Sequence, residues 1–242
     1  MSNFKSQNQI LNPKSLAKYL DFANHHPEAT PAQIRDLCQK VKKFGFHSAF
    51  VNPCYISLAK EYLEGKFPVG TVVSFPLGQD TRDGKVLLAI ETTRKGADEL
   101  DVMMNVGMFK AGKYAEVLEE MRAVNLAAKE IRRKVLVKFI IETGFLTEEE
   151  IKKASQLVLK SGADFVKTCS GWGPRGASLK DVELIRAVVG DKIKIKVAGG
   201  IDTYQEAIDF ISAGADRIGT SKAVEIVRQA KLTSGPVDQL TS

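Results

Sequence analysis

Short apolar runs alternate with segments of helical periodicity along almost the whole chain, and this alternation constrains the fold more than any other feature. Eight runs rich in β-branched and apolar residues predict strands over 18–23, 48–52, 69–75, 99–105, 135–141, 164–170, 193–198 and 216–221. The predicted helices between and after them cover 31–45, 56–65, 83–96, 114–131, 148–162, 181–190, 204–214 and 222–230. Eight strand-then-helix units of about thirty residues each predict an α/β protein with a single closed (β/α)8 TIM barrel. An open, doubly wound sheet is the alternative, but no glycine-rich dinucleotide-binding turn follows the first predicted strand.

Three of the predicted helix-to-strand junctions have the same sequence. Gly-Ala-Asp occurs at 96–98, 162–164 and 214–216, each time where a predicted helix ends and a strand begins. Glycine readily ends a helix because it adopts the left-handed conformation. No linker or change of composition divides the chain. We therefore predict one domain over 1–242, with a short N-terminal extension (about 1–14) and a C-terminal tail (about 231–242).

The composition narrows the class of function. No apolar run reaches membrane-spanning length, and the N-terminus lacks the apolar core of a signal peptide, so we expect a cytoplasmic protein with no membrane partner. The three cysteines are widely spaced, and none of the three histidines has a helical i, i+4 partner, so we expect neither disulfides nor a metal or other cofactor. The net charge of +6 is scattered along the chain. That distribution argues against a nucleic-acid partner and suits a small anionic substrate.

Two lysines lie within strand-like apolar runs: Lys167 in FVKTCSG and Lys196 in IKIKVAGG. A buried ammonium is costly, so lysine is uncommon there unless it is paired, lies at a sheet end or takes part in chemistry. If the sixth and seventh strands are neighbours, each cation disfavours the other's charge, and a neutral amine can attack a carbonyl. A solvated sheet edge explains the pattern equally well, because Lys192, Lys194 and Lys196 alternate along one strand face.

Asp101 is a carboxylate among the apolar residues of the fourth predicted strand. In a barrel it lies two strands from Lys167, near the C-terminal strand ends where active sites of this fold form. There it could hold a lysine in its charged form or relay a proton through water. The structural alternative is an ion pair with Lys138 of the fifth strand.

Glycine-bearing segments follow the last three predicted strands, at 170–176, 197–202 and 217–222. Glycines and short hydroxyls such as that of Ser170 leave backbone N–H groups open to an anion, and the loops after strands seven and eight are the usual phosphate site of this fold. One such segment is a weak signal because tight turns also use glycine. Three on adjacent strands favour a phosphate site.

These segments also carry a resemblance to a known family. VKTCSG, KVAGGI and AGADRIGTS, with ELDVMMNVG and VKFIIETGFLT before them, resemble the 2-deoxyribose-5-phosphate aldolases from about residue 16 to 228. The resemblance implies a metal-free class I aldolase on a (β/α)8 barrel. Such an enzyme cleaves 2-deoxy-D-ribose 5-phosphate reversibly to D-glyceraldehyde 3-phosphate and acetaldehyde, so its partners are small sugar phosphates and aldehydes.

By this resemblance Lys167 matches the Schiff-base lysine, Lys196 the second lysine beside it, and Asp101 the acid/base aspartate. The other matching positions, expected to bind substrate, are Lys138, Gly171, Gly199, Gly200, Gly219 and Ser221. The family resemblance is also compatible with a homo-oligomer.

The chain departs from the family's motifs around the expected mouth of the site. Where members tend to have Asp-x-Thr-Leu-Leu, Ala23 replaces the threonine and His25 the second leucine; Phe50 stands in place of a cysteine. Asp202 replaces an arginine, and Lys222 replaces a serine at the start of the last helix, where its ammonium could bind the phosphate. Two alternatives follow: a Schiff-base aldolase for another hydroxy-aldehyde or ketose, phosphorylated or not, and a sugar-phosphate-binding barrel without catalysis.

Overall fold

The computed structural model describes residues 12–233, and within them eight parallel strands close into a barrel in sequence order, β1 pairing with both β2 and β8. The strands are β1 (Leu20–Asn24), β2 (Ser48–Val51), β3 (Val69–Val73), β4 (Glu99–Met103), β5 (Leu136–Ile140), β6 (Phe165–Lys167), β7 (Lys194–Ala198) and β8 (Arg217–Thr220). All eight lie within or within one residue of the predicted segments. The barrel prediction is confirmed, and the open-sheet alternative is wrong.

Helices cover the outside of the barrel. They are α1 (Pro13–Ala17), α2 (Pro31–Phe44), α3 (Ile56–Leu63), α4 (Arg82–Arg94), α5 (Val106–Lys110), α6 (Tyr114–Ile131), α7 (Glu148–Ser161), α8 (Leu179–Val189), α9 (Tyr204–Ser212) and α10 (Ala223–Thr233). The eight predicted helices are confirmed. The sequence patterns did not predict α1, α5 or the short 3-10 turns Pro53–Tyr55 and Thr143–Phe145, because five residues or fewer are too short to show a helical period.

Helices lie close to both ends of the predicted domain. Pro13 begins α1 inside the predicted N-terminal extension, and Leu16 of that helix is fully buried. At the other end, α10 continues to Thr233, three residues into the predicted tail. The remainder of the extension and of the tail lies outside the described residues. Between residues 12 and 233, no helix combines the length and the apolar character needed to cross a membrane.

The repeated Gly-Ala-Asp junctions join neighbouring strands. Each aspartate carboxylate accepts a hydrogen bond from a backbone N–H at the start of the preceding strand, in the pairs Asp98–Val69 (2.8 Å), Asp164–Val137 (2.8 Å) and Asp216–Ile195 (2.9 Å). Each carboxylate also forms an ion pair with a lysine or arginine of a helix. The three junctions therefore fasten β3 to β4, β5 to β6 and β7 to β8 at the N-terminal end of the barrel.

The closed barrel excludes the solvated-edge interpretation of the lysines. Lys196 is 1% exposed and points into the barrel, whereas Lys192 precedes β7 and Lys194 is exposed at the start of that strand. The ring of Phe50 also fills the interior rather than the mouth, where the motif comparison had placed it. It lies over Gly70 of β3, where a Cβ atom would come within 2.1 Å of the ring. A phenylalanine at position 50 therefore requires glycine at position 70.

Candidate active site

Four neighbouring strands bring the predicted charged residues into one layer of the barrel. Asp101 of β4 pairs in register with Lys138 of β5, and Lys167 of β6 pairs in register with Lys196 of β7. Register partners on parallel strands point to the same side of the sheet. The predicted neighbourhood of Lys167 and Lys196 is therefore present, and Asp101 lies within reach of both.

Asp101 is the centre of this layer. Its Oδ2 is 2.7 Å from Nζ of Lys167 and 2.9 Å from Nζ of Lys196, and its Oδ1 is 3.0 Å from Nζ of Lys138. The aspartate is completely buried. The predicted ion pair with Lys138 thus exists, but it is one of three contacts, and the other two join Asp101 to the lysines that the sequence singled out.

Further charged residues surround this centre, and the sequence analysis did not assign them a role. Lys138 also contacts Glu99 at 2.6 Å, and Lys196 contacts Asp21 at 2.7 Å. Arg217 lies 2.8 Å from Asp21 and 3.5 Å from Glu99. Asp21, Glu99 and Arg217 each lie in a strand-like run, and a charge in such a run is unusual. The sequence could therefore have drawn attention to them, but only the tertiary structure shows that they converge.

The charges in this network balance only if one lysine is neutral. The buried carboxylates are Asp21, Glu99 and Asp101, and the buried cationic side chains are Lys138, Lys167, Lys196 and Arg217. Because arginine keeps its proton in proteins, the missing proton has to come from a lysine. Lys167 contacts one carboxylate, whereas Lys138 and Lys196 each contact two. Lys167 is therefore the lysine of this network that the fewest ion pairs hold.

The pKa shifts follow from burial and from these contacts. Burial alone would raise the pKa of Asp101, but the charges of the three lysines hold it well below its usual value. Burial alone would lower the pKa of Lys138, but Asp101 and Glu99 raise it above its usual value. For Lys196, burial outweighs the effect of its two carboxylates and, with Lys138 and Lys167, lowers its pKa to about 8. Asp101 is thus a carboxylate and Lys138 a cation at neutral pH, while the pKa of Lys196 lies about one pH unit above neutrality.

Asp21, His47 and Glu99 place possible metal-ligand atoms within 4.8 Å of one another. Cationic side chains already contact both carboxylates, and His47 Nε2 lies 3.2 Å from Glu99. The donor set suits the guanidinium of Arg217 better than a second cation, because an added metal ion would meet that fixed positive charge.

A cavity of about 360 Å³ opens above the charged layer at the C-terminal ends of the strands. The predicted residues that line it are Lys167, Lys196, Ser170, Gly171, Gly199, Gly200, Gly219 and Ser221. Lys138 does not line it, because it is buried beneath, and Lys222 is exposed outside the lining. His25, Trp172 and Asp202 line it although the sequence analysis did not count them among the binding residues. A second cavity of about 560 Å³, beside α4 and α6, contains none of the lysines of the charged layer.

The loop after β6 is fixed by side chains from the loop after β5 and from α8. Glu142 accepts hydrogen bonds from the backbone N–H of Ser170 at 3.2 and 3.1 Å. Arg175 donates two hydrogen bonds to Asp181, at 2.7 and 3.0 Å, and one to the carbonyl of Thr143. These contacts hold the Ser170–Gly171 segment against the cavity.

Comparison with known proteins agrees with this geometry. The family model described as DeoC/LacD family aldolase matches residues 16–224. The chain belongs to this family. The resemblance read from the motifs is therefore confirmed, and it extends across all eight strands.

Family members of known name cover nearly the whole chain. A deoxyribose-phosphate aldolase of Caldanaerobacter subterraneus subsp. tengcongensis is 42% identical over 228 residues, or 94% of this chain and 97% of the relative. The deoxyribose-phosphate aldolase of Thermococcus gammatolerans is 46% identical over 219 residues, or 89% and 96%. The tetrameric deoxyribose phosphate aldolase of Aeropyrum pernix superposes with a TM-score of 0.84 at 28% identity, covering 91% of this chain and 92% of that one.

The electrostatic role of Asp101 leads to a prediction about stability. Asp101→Asn keeps the shape but removes the charge that three lysines share, so the folded variant binds protons less readily than its unfolded chain. Its stability must therefore fall as the pH decreases from 9 to 7. We expect a loss of about 3–5 kcal/mol at pH 7, the usual cost of leaving a buried charge unpaired, and a smaller loss at pH 9. Urea unfolding of both proteins at each pH measures the difference.

Asp164→Asn is the matched control, because Asp164 is a partly exposed carboxylate that pairs with one lysine. It should show a small loss that is the same at both pH values. Equal destabilisation of Asp101→Asn at pH 7 and pH 9 would contradict the shared-charge interpretation.

Proposed function

We propose that this chain is a cytoplasmic class I aldolase that cleaves 2-deoxy-D-ribose 5-phosphate to D-glyceraldehyde 3-phosphate and acetaldehyde through a Schiff base on Lys167. The observation that carries the proposal is the position of this amine. Lys167 lines the cavity, lies 2.7 Å from a single carboxylate that two other lysines share, and is the lysine of the network held by the fewest ion pairs. A neutral amine at the base of a cavity is what attack on an aldehyde requires.

The first half of the reaction forms the covalent intermediate. Nζ of Lys167 adds to the C1 aldehyde carbon, and the resulting carbinolamine loses water to give an iminium ion. The carboxylate of Asp101, 2.7 Å from this nitrogen, stabilises the positive charge that develops there. Lys138 keeps Asp101 ionised and in position from below.

The second half breaks the carbon–carbon bond. A base removes the C3-hydroxyl proton, the electron pair of the C2–C3 bond moves to the iminium, and glyceraldehyde 3-phosphate leaves. The enamine left on Lys167 takes up a proton at C2, and water hydrolyses the new iminium to acetaldehyde and the free amine. Asp101 and Lys196, acting through water, move these protons. A pKa of about 8 suits Lys196 to give and regain a proton near neutral pH.

Reductive trapping tests the covalent step. Borohydride with acetaldehyde should add one two-carbon unit, roughly 28 Da by atom counting, to Lys167, since borohydride reduces the imine that a lysine nucleophile forms. Peptide mapping by mass spectrometry identifies the modified residue. Lys196→Met keeps the nucleophile and should still be labelled, whereas Lys167→Met should not. A label on Lys196 or Lys138 in the wild-type chain would overturn the assignment.

The phosphate group is proposed to bind at the glycine-rich rim. Gly171, Gly199 and Gly200 have φ values of 92°, 96° and 74°, a conformation that favours glycine and turns backbone N–H groups toward a bound anion. Asp202 lines the same cavity and opposes a phosphate dianion. Lys222 is exposed just before α10, and we propose that its flexible ammonium supplies the compensating charge from the edge of the site.

Asp202 is also the observation that favours a second candidate function. A carboxylate at the rim in place of a fixed cation suits an uncharged hydroxy-aldehyde or ketose, cleaved by the same lysine chemistry. A sugar-phosphate-binding barrel without catalysis is disfavoured, because binding alone gives no reason to bury three lysines around one aspartate.

The two candidate substrates can be compared directly. Lys222→Ser should raise the KM for deoxyribose 5-phosphate several-fold, because one charge-assisted contact to the phosphate is lost. It should leave cleavage of free deoxyribose almost unchanged. Lys231→Ser, an exposed lysine of α10, is the matched control and should change neither. If the wild-type enzyme prefers free deoxyribose, or if Lys222→Ser weakens both reactions equally, the uncharged substrate becomes the better assignment.

We also propose that the enzyme works as a homo-oligomer. The support is the Aeropyrum pernix relative, whose structure is described as tetrameric. Light scattering during size-exclusion chromatography should give a mass that is a multiple of 26.5 kDa. A single 26.5 kDa species at micromolar concentration would contradict the proposal.

A further inference from the structure

His25 is the feature of the cavity that the reaction described above does not use. It follows directly after β1, lines the cavity with Lys167 and Lys196, and stands where the family motif has a leucine. This chain therefore has a polar ring at a position where family members tend to have a hydrocarbon side chain.

Two aromatic side chains hold the imidazole in place. Its ring centre is 6.2 Å from that of Phe50, at an interplanar angle of 86°, and 5.5 Å from that of Phe75, at 55°. Nζ of Lys167 lies 5.9 Å from the centre of the same Phe75 ring. The ring of Phe75 therefore lies close to both His25 and Lys167.

The two ring nitrogens have different surroundings. Nδ1 is sealed from solvent and has no hydrogen-bond partner among residues 12–233. Nε2 is not sealed in this way, and His25 lines the cavity. Orphaned N–H donors are rarer in protein interiors than orphaned acceptor atoms. The proton of the neutral ring accordingly belongs on Nε2, where it points into the cavity as a donor.

The ring is neutral at working pH. Burial is the main reason that the pKa of His25 falls to about 3, and the charge of Lys167 adds to the effect. Lys196 and His26 act in the same direction, while Asp101 opposes them. A neutral imidazole donates a hydrogen bond without adding a charge beside the Schiff-base lysine.

We propose that His25 is a specificity-determining residue whose Nε2–H donates a hydrogen bond to a hydroxyl group of the aldehyde acceptor, the one on the carbon next to the carbonyl carbon. This inference rests on the proposed aldolase function. An acceptor without that hydroxyl leaves the N–H unpaired in a partly closed cavity, which weakens its transition state relative to that of the hydroxylated acceptor.

A pair of acceptors of equal size tests the proposal. Glycolaldehyde and propanal have the same number of heavy atoms and differ by a hydroxyl in place of a methyl group. The ratio of kcat/KM for glycolaldehyde to kcat/KM for propanal, with acetaldehyde as donor, should fall about tenfold in His25→Leu. This is the order of magnitude of one hydrogen bond. His25→Phe, which keeps an aromatic ring between Phe50 and Phe75 but lacks the N–H, should cause the same fall. His25→Gln, whose amide N–H reaches about as far as Nε2–H, should keep the wild-type ratio within a factor of about three.

The comparison separates this inference from the function on which it rests. A ratio measured on one enzyme preparation does not change with the amount of folded protein, so a purely structural role of His25 leaves it unchanged. Glu28→Gln, in the same loop as His25 but exposed and outside the cavity lining, is the matched control and should not alter the ratio. If aldol products form but both apolar variants at position 25 keep the wild-type ratio, the role of His25 is refuted and the aldolase function stands. If no acceptor gives a product and borohydride labels no lysine, the aldolase function itself fails.

Discussion

The ion pairs of Asp101 are the interaction on which the rest of the site depends. One completely buried carboxylate contacts the amines of three lysines on three successive strands. A buried amine is tolerated only when a counter-charge is near, and a carboxylate in the same place needs cations for the same reason. The lysines and the aspartate therefore stabilise one another's charges, and none of them would be tolerated in the interior without the others.

The barrel architecture makes such a group possible. Register partners on neighbouring parallel strands point to the same side of the sheet, and closure removes every sheet edge at which a lysine could reach water. Asp21, Glu99 and Arg217 extend the ion pairs around the rest of the interior. The buried cationic side chains of this network outnumber its carboxylates by one, and this excess is consistent with the nucleophilic role that we propose for Lys167.

The mouth of the cavity is built from different kinds of residues than its base. The base is a buried network of ion-paired strand residues, where a change in one charge affects its neighbours. The mouth is built from loops whose side chains contact solvent or substrate and can vary independently. This outer part includes His25, Trp172 and Asp202. Their side chains differ in charge or shape from those that bind a phosphate group. We therefore propose that the base of the cavity determines the type of reaction and that the mouth determines the choice of substrate.

The sequence by itself determined the strand order, the barrel and the position of the two key lysines. Hydrophobic periodicity is a local property, and the repeated alternation of two periods leaves few other folds. Lys167 and Lys196 stood out because a charge inside an apolar strand is unusual even without knowledge of its neighbours. Tertiary structure alone decided which charges meet, because Asp21 and Arg217 are 196 residues apart in the chain but 2.8 Å apart across the closing strands. It also placed Phe50 in the interior, left Lys222 outside the cavity lining and sealed Nδ1 of His25. Each of these outcomes depends on side chains from distant strands and loops, whose convergence is set by barrel closure and not by any local pattern.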